Sequence, residues 1–177
     1  LPFTRLNGGP MDYTPGIFVQ DLASVTDGKN TSWVNATIAN QLALYVTLYS
    51  PLQMAADLPE HYAQFMDAFQ FIKDVDIDWI QSRYLLAEPG EYVVIARQGK
   101  KNGQWFCGGV TDDHKRSLDI PLQFLEPGKV YEATIYRDAD DAHYRENPQA
   151  YVIEKKIVTS EDVLPITMAA GGGFAMS

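Results

Sequence analysis

The chain has 177 residues, 14 Lys plus Arg against 23 Asp plus Glu and a net charge of -9, which would repel a phosphate backbone and excludes nucleic acid as a natural partner. With 46% hydrophobic and 12% aromatic residues it has the apolar surface for a packed core, so a disordered tail is excluded too. No apolar run approaches the roughly 20 residues that span a bilayer, so no membrane insertion is expected. The single Cys107, in the apolar run "QWFCGG", cannot close an internal disulfide and reads as a small buried hydrophobe.

The chain opens on "LPFTRLNGGPMDYTPGIF", without an initiator Met and passing from an apolar run directly into Gly and Pro, as the middle of a larger enzyme would. "LPFT", Leu1–Thr4, is strand-like. A long helix is expected from Thr31 or Ser32, both able to cap it, to about Tyr49, with Val34, Ile38, Leu42 and Tyr45 on one face and further apolar residues around it. "SPLQMAADLP" then fits a short buried parallel strand at Pro51–Ala55. A second helix is expected from Pro59, burying Tyr62, Phe65, Met66 and Phe69. This alternation makes residues 1–76 the tail of a parallel β/α domain. A right-handed crossover would set Leu1–Thr4 beside Pro51–Ala55, with Asp12 and Asp57 beyond the same carboxyl edge.

Near "KDVDID" the periodicity changes from helical to alternating. Residues 77–177 are expected to form an antiparallel β-sandwich, with strands near Asp78–Leu86, Glu91–Gln98, Gln104–Val110, Arg116–Pro121, Lys129–Arg137, Tyr151–Val158, Leu164–Met168 and Phe174. The fold class is therefore α/β followed by all-β.

Four residues carry candidate chemistry. In "GGPMDYTPG", Asp12 beside Tyr13 presents a carboxylate next to an aromatic plane, suited either to gripping a sugar hydroxyl or to capping the loop. Arg5 follows the presumed strand and would orient a hydroxyl or join a salt bridge. Asp57 holds the corresponding place on the next strand, as a ligand or as a cap of the helix at Pro59. The acidic loop Arg137–Pro148 fails as a calcium loop, because Ala142 and His143 stand where an oxygen ligand and Gly belong. His61, His114 and His143 include no i, i+4 histidine pair, so no zinc site is supported. Trp79, Tyr92, Trp105 and Tyr151 offer aromatic surface for a sugar platform or for the core.

The opening stretch closely resembles the corresponding segment of the family 97 glycoside hydrolases, and "QLALYVTLYSPLQMAADLPEHY", "EPGEYVVIARQ" and "AAGGGFAMS" follow in that family's order. The resemblance implies that 1–76 is the C-terminal portion of a (β/α)8 catalytic barrel and 77–177 the all-β domain behind it. It implies an enzyme cleaving terminal α-glucosidic or α-galactosidic bonds of an α-linked oligosaccharide. It also implies calcium in the parent active site, a periplasmic or secreted location, and catalytic and calcium-binding carboxylates upstream of Leu1. The missing N-terminal part of the same enzyme would then be this chain's partner, and the fragment alone inactive. The alternative is a non-catalytic carbohydrate-binding or structural β-domain.

Overall fold

The computed structural model covers residues 1–177 and is mostly antiparallel β-sheet, with four short helices gathered between Leu22 and Asp74. The helices are α1 (Leu22–Val25), α2 (Ile38–Thr47), α3 (Pro59–Tyr62) and α4 (Met66–Asp74). The strands are β1 (Trp79–Glu88), β2 (Tyr92–Gly99), β3 (Trp105–Thr111), β4 (Arg116–Pro121), β5 (Tyr131–Asp138), β6 (Tyr151–Val158), β7 (Val163–Met168) and β8 (Gly173–Met176). After β1 begins there is no helix, as the alternating pattern predicts.

Six strands form one antiparallel sheet in the order β1-β2-β3-β8-β5-β6, and β4 with β7 forms a second, two-stranded layer. Between the layers lies one core, built from Val94, Ala96, Cys107, Ile120, Ile135, Ile166, Met168 and Phe174 among others. The other face of the large sheet carries the helices. Phe106, Tyr136 and Ala175 there pack with Ile38, Leu42, Tyr45, Val46 and Phe71 in a second core. Successive residues of a strand face opposite layers, so Phe106 serves the helices and Cys107 the sandwich. Close seating of α2 depends on Gly108: a Cβ there would stand 2.9 Å from the Ala43 carbonyl oxygen and from Val46 Cβ.

Four expectations are corrected. Leu1–Thr4 is a turn leading into a 3-10 segment at Arg5–Gly8, held by Asn7 Nδ2 donating to the Phe3 carbonyl at 2.9 Å. Pro51–Ala55 is not a buried strand either: its one bridge is the parallel pairing of Gln53 with Tyr13, and Leu52 and Met54 are exposed. A parallel strand needs neighbours and covering helices, and nothing else in this chain flanks Gln53. The long helix starts at Ile38 rather than near Thr31, because Trp33 bridges Asp21 and Val34 N–H donates to the Gln20 carbonyl, leaving Thr37 to cap the helix through Asn40 N–H at 3.1 Å. The second expected helix is broken between α3 and α4, where Phe65 turns inward to meet Phe18 and Tyr151 edge-on.

Candidate functional site

The parallel ribbon Tyr13–Val19 and Gln53–Asp57 carries two of the candidate residues, Tyr13 and Asp57. Met54 N–H donates to the Tyr13 carbonyl at 3.3 Å and Ala56 N–H to the Pro15 carbonyl at 3.0 Å. Side chains from the helices fasten it. Gln41 Oε1 on α2 accepts from Gly16 N–H and Ile17 N–H at 2.9 and 3.0 Å. The buried Tyr45 hydroxyl lies 3.1 Å from the carbonyl oxygens of both Pro15 and Met54, tying the two segments together. Tyr62 on α3 donates to the Gly16 carbonyl at 2.7 Å and accepts from Asp57 N–H at 3.0 Å. Burial, with Tyr62 close by, pushes the Tyr45 phenol well above its ordinary range, so both rings act as neutral hydrogen-bonding struts. Gly16 has φ +94°, and a Cβ there would sit 2.6 Å from the Tyr45 hydroxyl. No other residue type fits that position.

Asp57 ends the ribbon. Its Oδ2 accepts from Phe18 N–H at 2.7 Å and Val19 N–H at 3.0 Å, its Oδ1 accepts from Leu58 N–H at 2.9 Å, and His61 Nδ1 on α3 closes on the same Oδ1. Burial by itself would raise this carboxyl, but the hydrogen bonds from His61, Val19, Leu58 and Phe18 outweigh it and hold it below the usual carboxylate range. Asp57 does not cap α3, whose N-cap is Leu58 with no side-chain cap bond; it holds the His61 side chain and ties down the chain leaving the neighbouring segment. Sequence reasoning missed His61, Gln41, Tyr45 and Tyr62 as its companions. Only the Asp-x-x-x-His spacing was readable, an i, i+4 pair that sets His61 one turn beyond a carboxylate lying just before α3.

The expectation that Asp12 and Asp57 share one edge is overturned. Tyr13 stands beside Gln53 and both segments run the same way, so Asp12 precedes the pairing and Asp57 lies about 13 Å past it at roughly 3.3 Å per residue. They stand at opposite ends because Tyr13–Pro15, not Leu1–Thr4, is the segment that pairs. Asp12 is exposed, Tyr13 is half-buried, and the exposed Arg5 turns back onto the carbonyls of Gly9 and Pro10 at 3.2 and 3.5 Å.

A second buried carboxylate, Asp138 at the end of β5, joins the helices to the sheet. Its Oδ2 accepts from Ala169 N–H and Gly173 N–H, both at 2.8 Å. The same Gly-rich turn receives Asn40 Nδ2 on the Gly172 carbonyl at 3.0 Å and Thr37 N–H on the Gly171 carbonyl at 3.2 Å. Burial pushes the Asp138 carboxyl up to about 6, against the opposing pull of the Thr37 hydroxyl, the two N–H donors and the Arg137 charge.

Metal chemistry finds little here. Asp112, Asp113 and His114 alone bring three metal-capable atoms within 4.8 Å of one another. Arg116 Nη2 already pairs with Asp112 at 3.3 Å, and calcium asks for six to eight oxygens where two carboxylates and an imidazole stand. These residues do not fit calcium.

A family model described as "Glycosyl-hydrolase 97 C-terminal, oligomerisation" matches residues 78–177. The chain belongs to glycoside hydrolase family 97. Over 99% of its length this family 97 chain is 47% identical to a family 97 enzyme of Pseudoalteromonas sp. strain K8, with a TM-score of 0.93 to that enzyme's structure in complex with acarbose, of which it covers 27%. It is 33% identical to the retaining alpha-galactosidase of Bacteroides thetaiotaomicron, across 99% of the chain and 26% of that protein. A probable retaining alpha-galactosidase of Streptomyces bingchenggensis is 30% identical, again across 99% of the chain and 24% of that protein. A beta-arabinopyranosidase shares the fold with a TM-score of 0.79 at 20% identity. The family 97 chain therefore spans about a quarter of the length of the relatives it matches.

Proposed function

We propose that these residues form the C-terminal part of an exo-acting α-glycosidase that releases terminal α-glucosyl or α-galactosyl units from an α-linked oligosaccharide. Residues 1–76 are read as the last β/α units of its (β/α)8 barrel and 77–177 as the β-sandwich domain behind it. The observation that carries the reading is the likeness, across 99% of the chain, to a family 97 enzyme of which it covers 27%. The parallel ribbon supports it: an extended segment at Tyr13–Val19, the helix α2 and a second extended segment at Gln53–Asp57, bridged in parallel to the first through Tyr13 and Gln53, follow in the order of one barrel unit. Exposed Leu52, Met54 and Leu58 mark a face that further strands and helices of the parent would cover.

In such a barrel, substrates bind at the carboxyl ends of the strands. Asp57 stands at that end, so we assign it to the rim of the substrate cleft as a positioning residue that fixes Phe18–Val19. The loop carrying Arg5, Asp12 and Tyr13 stands at the amino end of the same segments and is assigned to the other end of the barrel, away from the cleft. Two placed carboxyl groups are needed for glycoside hydrolysis, and we assign them, with the calcium ligands, to residues of the parent outside this chain. The same reading implies a periplasmic or secreted parent and self-association through 78–177, which the family model's description names.

The test is to assay the full-length polypeptide carrying these residues, and the 177-residue chain alone, on p-nitrophenyl α-glucoside and α-galactoside with calcium present. Turnover by the full-length protein and none by the chain is the expected result. Turnover by the chain that disappears in Asp57→Asn would overturn the assignment of the catalytic carboxylates elsewhere. A full-length protein active on neither substrate would overturn the α-glycosidase reading.

A further inference from the structure

Trp79, Tyr92, Trp105 and Tyr151 are each engaged by the fold. Trp79 packs edge-on against Phe106 at 5.9 Å, Tyr92 lies under the Arg116 guanidinium at 5.4 Å, and Tyr151 donates to Asp67 at 2.6 Å. Trp105 packs on Phe124 with ring centroids 4.9 Å apart and differs from the other three in what lies beside it. It points with Cys107 to the sandwich side of β3, away from the helices, and there it borders a cavity of about 260 Å³ whose floor is Cys107, Leu122, Ala133, Val158 and Met176. A cleft of about 450 Å³ adjoins it. The two share Trp105, Phe124 and Tyr131, all half-buried, and the cleft's outer rim is Gln81, Gln98, Glu126 and Lys129. Protein interiors close-pack and leave few voids larger than a water molecule, so an opening of this size over core residues is a feature to be explained.

We propose that this cleft binds a pyranose ring of a neutral oligosaccharide, with the ring's apolar face on Trp105 and its hydroxyls on the polar rim. The rim is already ordered for that purpose. Gln81 Nε2 donates to Gln98 Oε1 at 2.8 Å and Gln98 Nε2 to the Gly103 carbonyl at 3.0 Å, which fixes both amides and leaves Gln81 Oε1 free to accept. The Tyr131 hydroxyl accepts from Glu126 N–H at 3.3 Å and keeps its own proton to donate. An aromatic plane flanked by fixed amides and a hydroxyl is the chemistry that a sugar, apolar on its faces and polar at its edge, requires. Glu126, Glu132 and the net charge of -9 disfavour an anion, and the polar rim disfavours a purely apolar ligand. The site lies on the sheet face opposite α2, so residues 1–76 leave it open.

The experiment is titration of the 177-residue chain with maltotriose and with raffinose, read by calorimetry and tryptophan fluorescence. Saturable binding of at least one sugar is expected, weakened about tenfold or more in Trp105→Ala, the loss of one well-placed aromatic contact. Gln81→Ala, at a half-buried position of the edge strand β1, should weaken it several-fold, whereas Tyr84→Ala, exposed on the same strand, should not change it. Circular dichroism separates a lost site from a lost fold. No saturable signal with either sugar, sugar binding unchanged in both Trp105→Ala and Gln81→Ala, or a Trp105 shielded only by chain dimerisation would overturn the proposal. Binding is read without hydrolysis, so failure here leaves the glycosidase reading intact, and an inactive parent would leave this site intact.

Discussion

Replacing Asp138 by Asn tests the accounting for the buried carboxylate that joins helices to sheet. In the folded chain this carboxyl titrates at about 6, against 3.8 for an unperturbed Asp. Between about pH 4 and 6 the native state keeps a proton that the unfolded chain has already released, so stability falls as pH rises through that window and is level above it. Two pH units correspond to about 3 kcal/mol. The amide in Asp138→Asn would be neutral at every pH, and its oxygen can accept from Ala169 N–H and Gly173 N–H in place of Oδ2, as the protonated carboxyl does. The variant should match the parent near pH 4 and exceed it by about 3 kcal/mol at pH 7.5, a rise of several degrees in Tm for a chain of this size. Urea unfolding of both chains at half-unit steps from pH 4 to 8 measures the difference directly. If that difference is flat with pH, or if Asp138→Asn loses ground as pH rises, the N–H donors rather than burial control the site and the reasoning fails.

Three further substitutions probe the ribbon and its seat. Gly16→Ala combines a φ of +94° with a Cβ 2.6 Å from the Tyr45 hydroxyl and should cost about 2–4 kcal/mol, read as a lower urea midpoint at unchanged slope. Asp57→Ala strands the N–H groups of Phe18, Val19 and Leu58 and should cost about 2–3 kcal/mol at pH 7. Because the Asp57 carboxyl lies below its ordinary value, that contribution is full above the ordinary value and shrinks as pH falls beneath it, so parent and variant melting curves should converge in acid. Gly108→Val puts side chain where Ala43 and Val46 of α2 now sit. It should loosen the helices from the sheet, giving faster amide exchange across Ile38–Thr47 while β4 and β7 stay protected.

The β-rich half was legible residue by residue because its signals are local. Alternation and turn residues placed Arg116–Pro121 and Tyr151–Val158 at their observed bounds and the other strands within a few residues, since pleating acts on neighbours in the chain. The helical half was legible only in part. Apolar spacing located α2, but Thr31 and Thr37 cap equally well in isolation, and the choice fell to Thr37 because Trp33 and Val34 are held against Asp21 and Gln20. "LPFT" and "PLQMA" carry strand-like composition, yet a parallel strand exists only with neighbours, and for Gln53 the neighbour is Tyr13, forty positions away. The roles of the carboxylates lay further out of reach. Asp57 meets its donors 38 and 39 positions away, and Asp138 meets its own 31 and 35 positions away, while Asp12, identical in type, meets solvent. A carboxylate's local sequence sets its charge and reach. Its N–H donors and its access to water are supplied by segments that only the tertiary fold brings together.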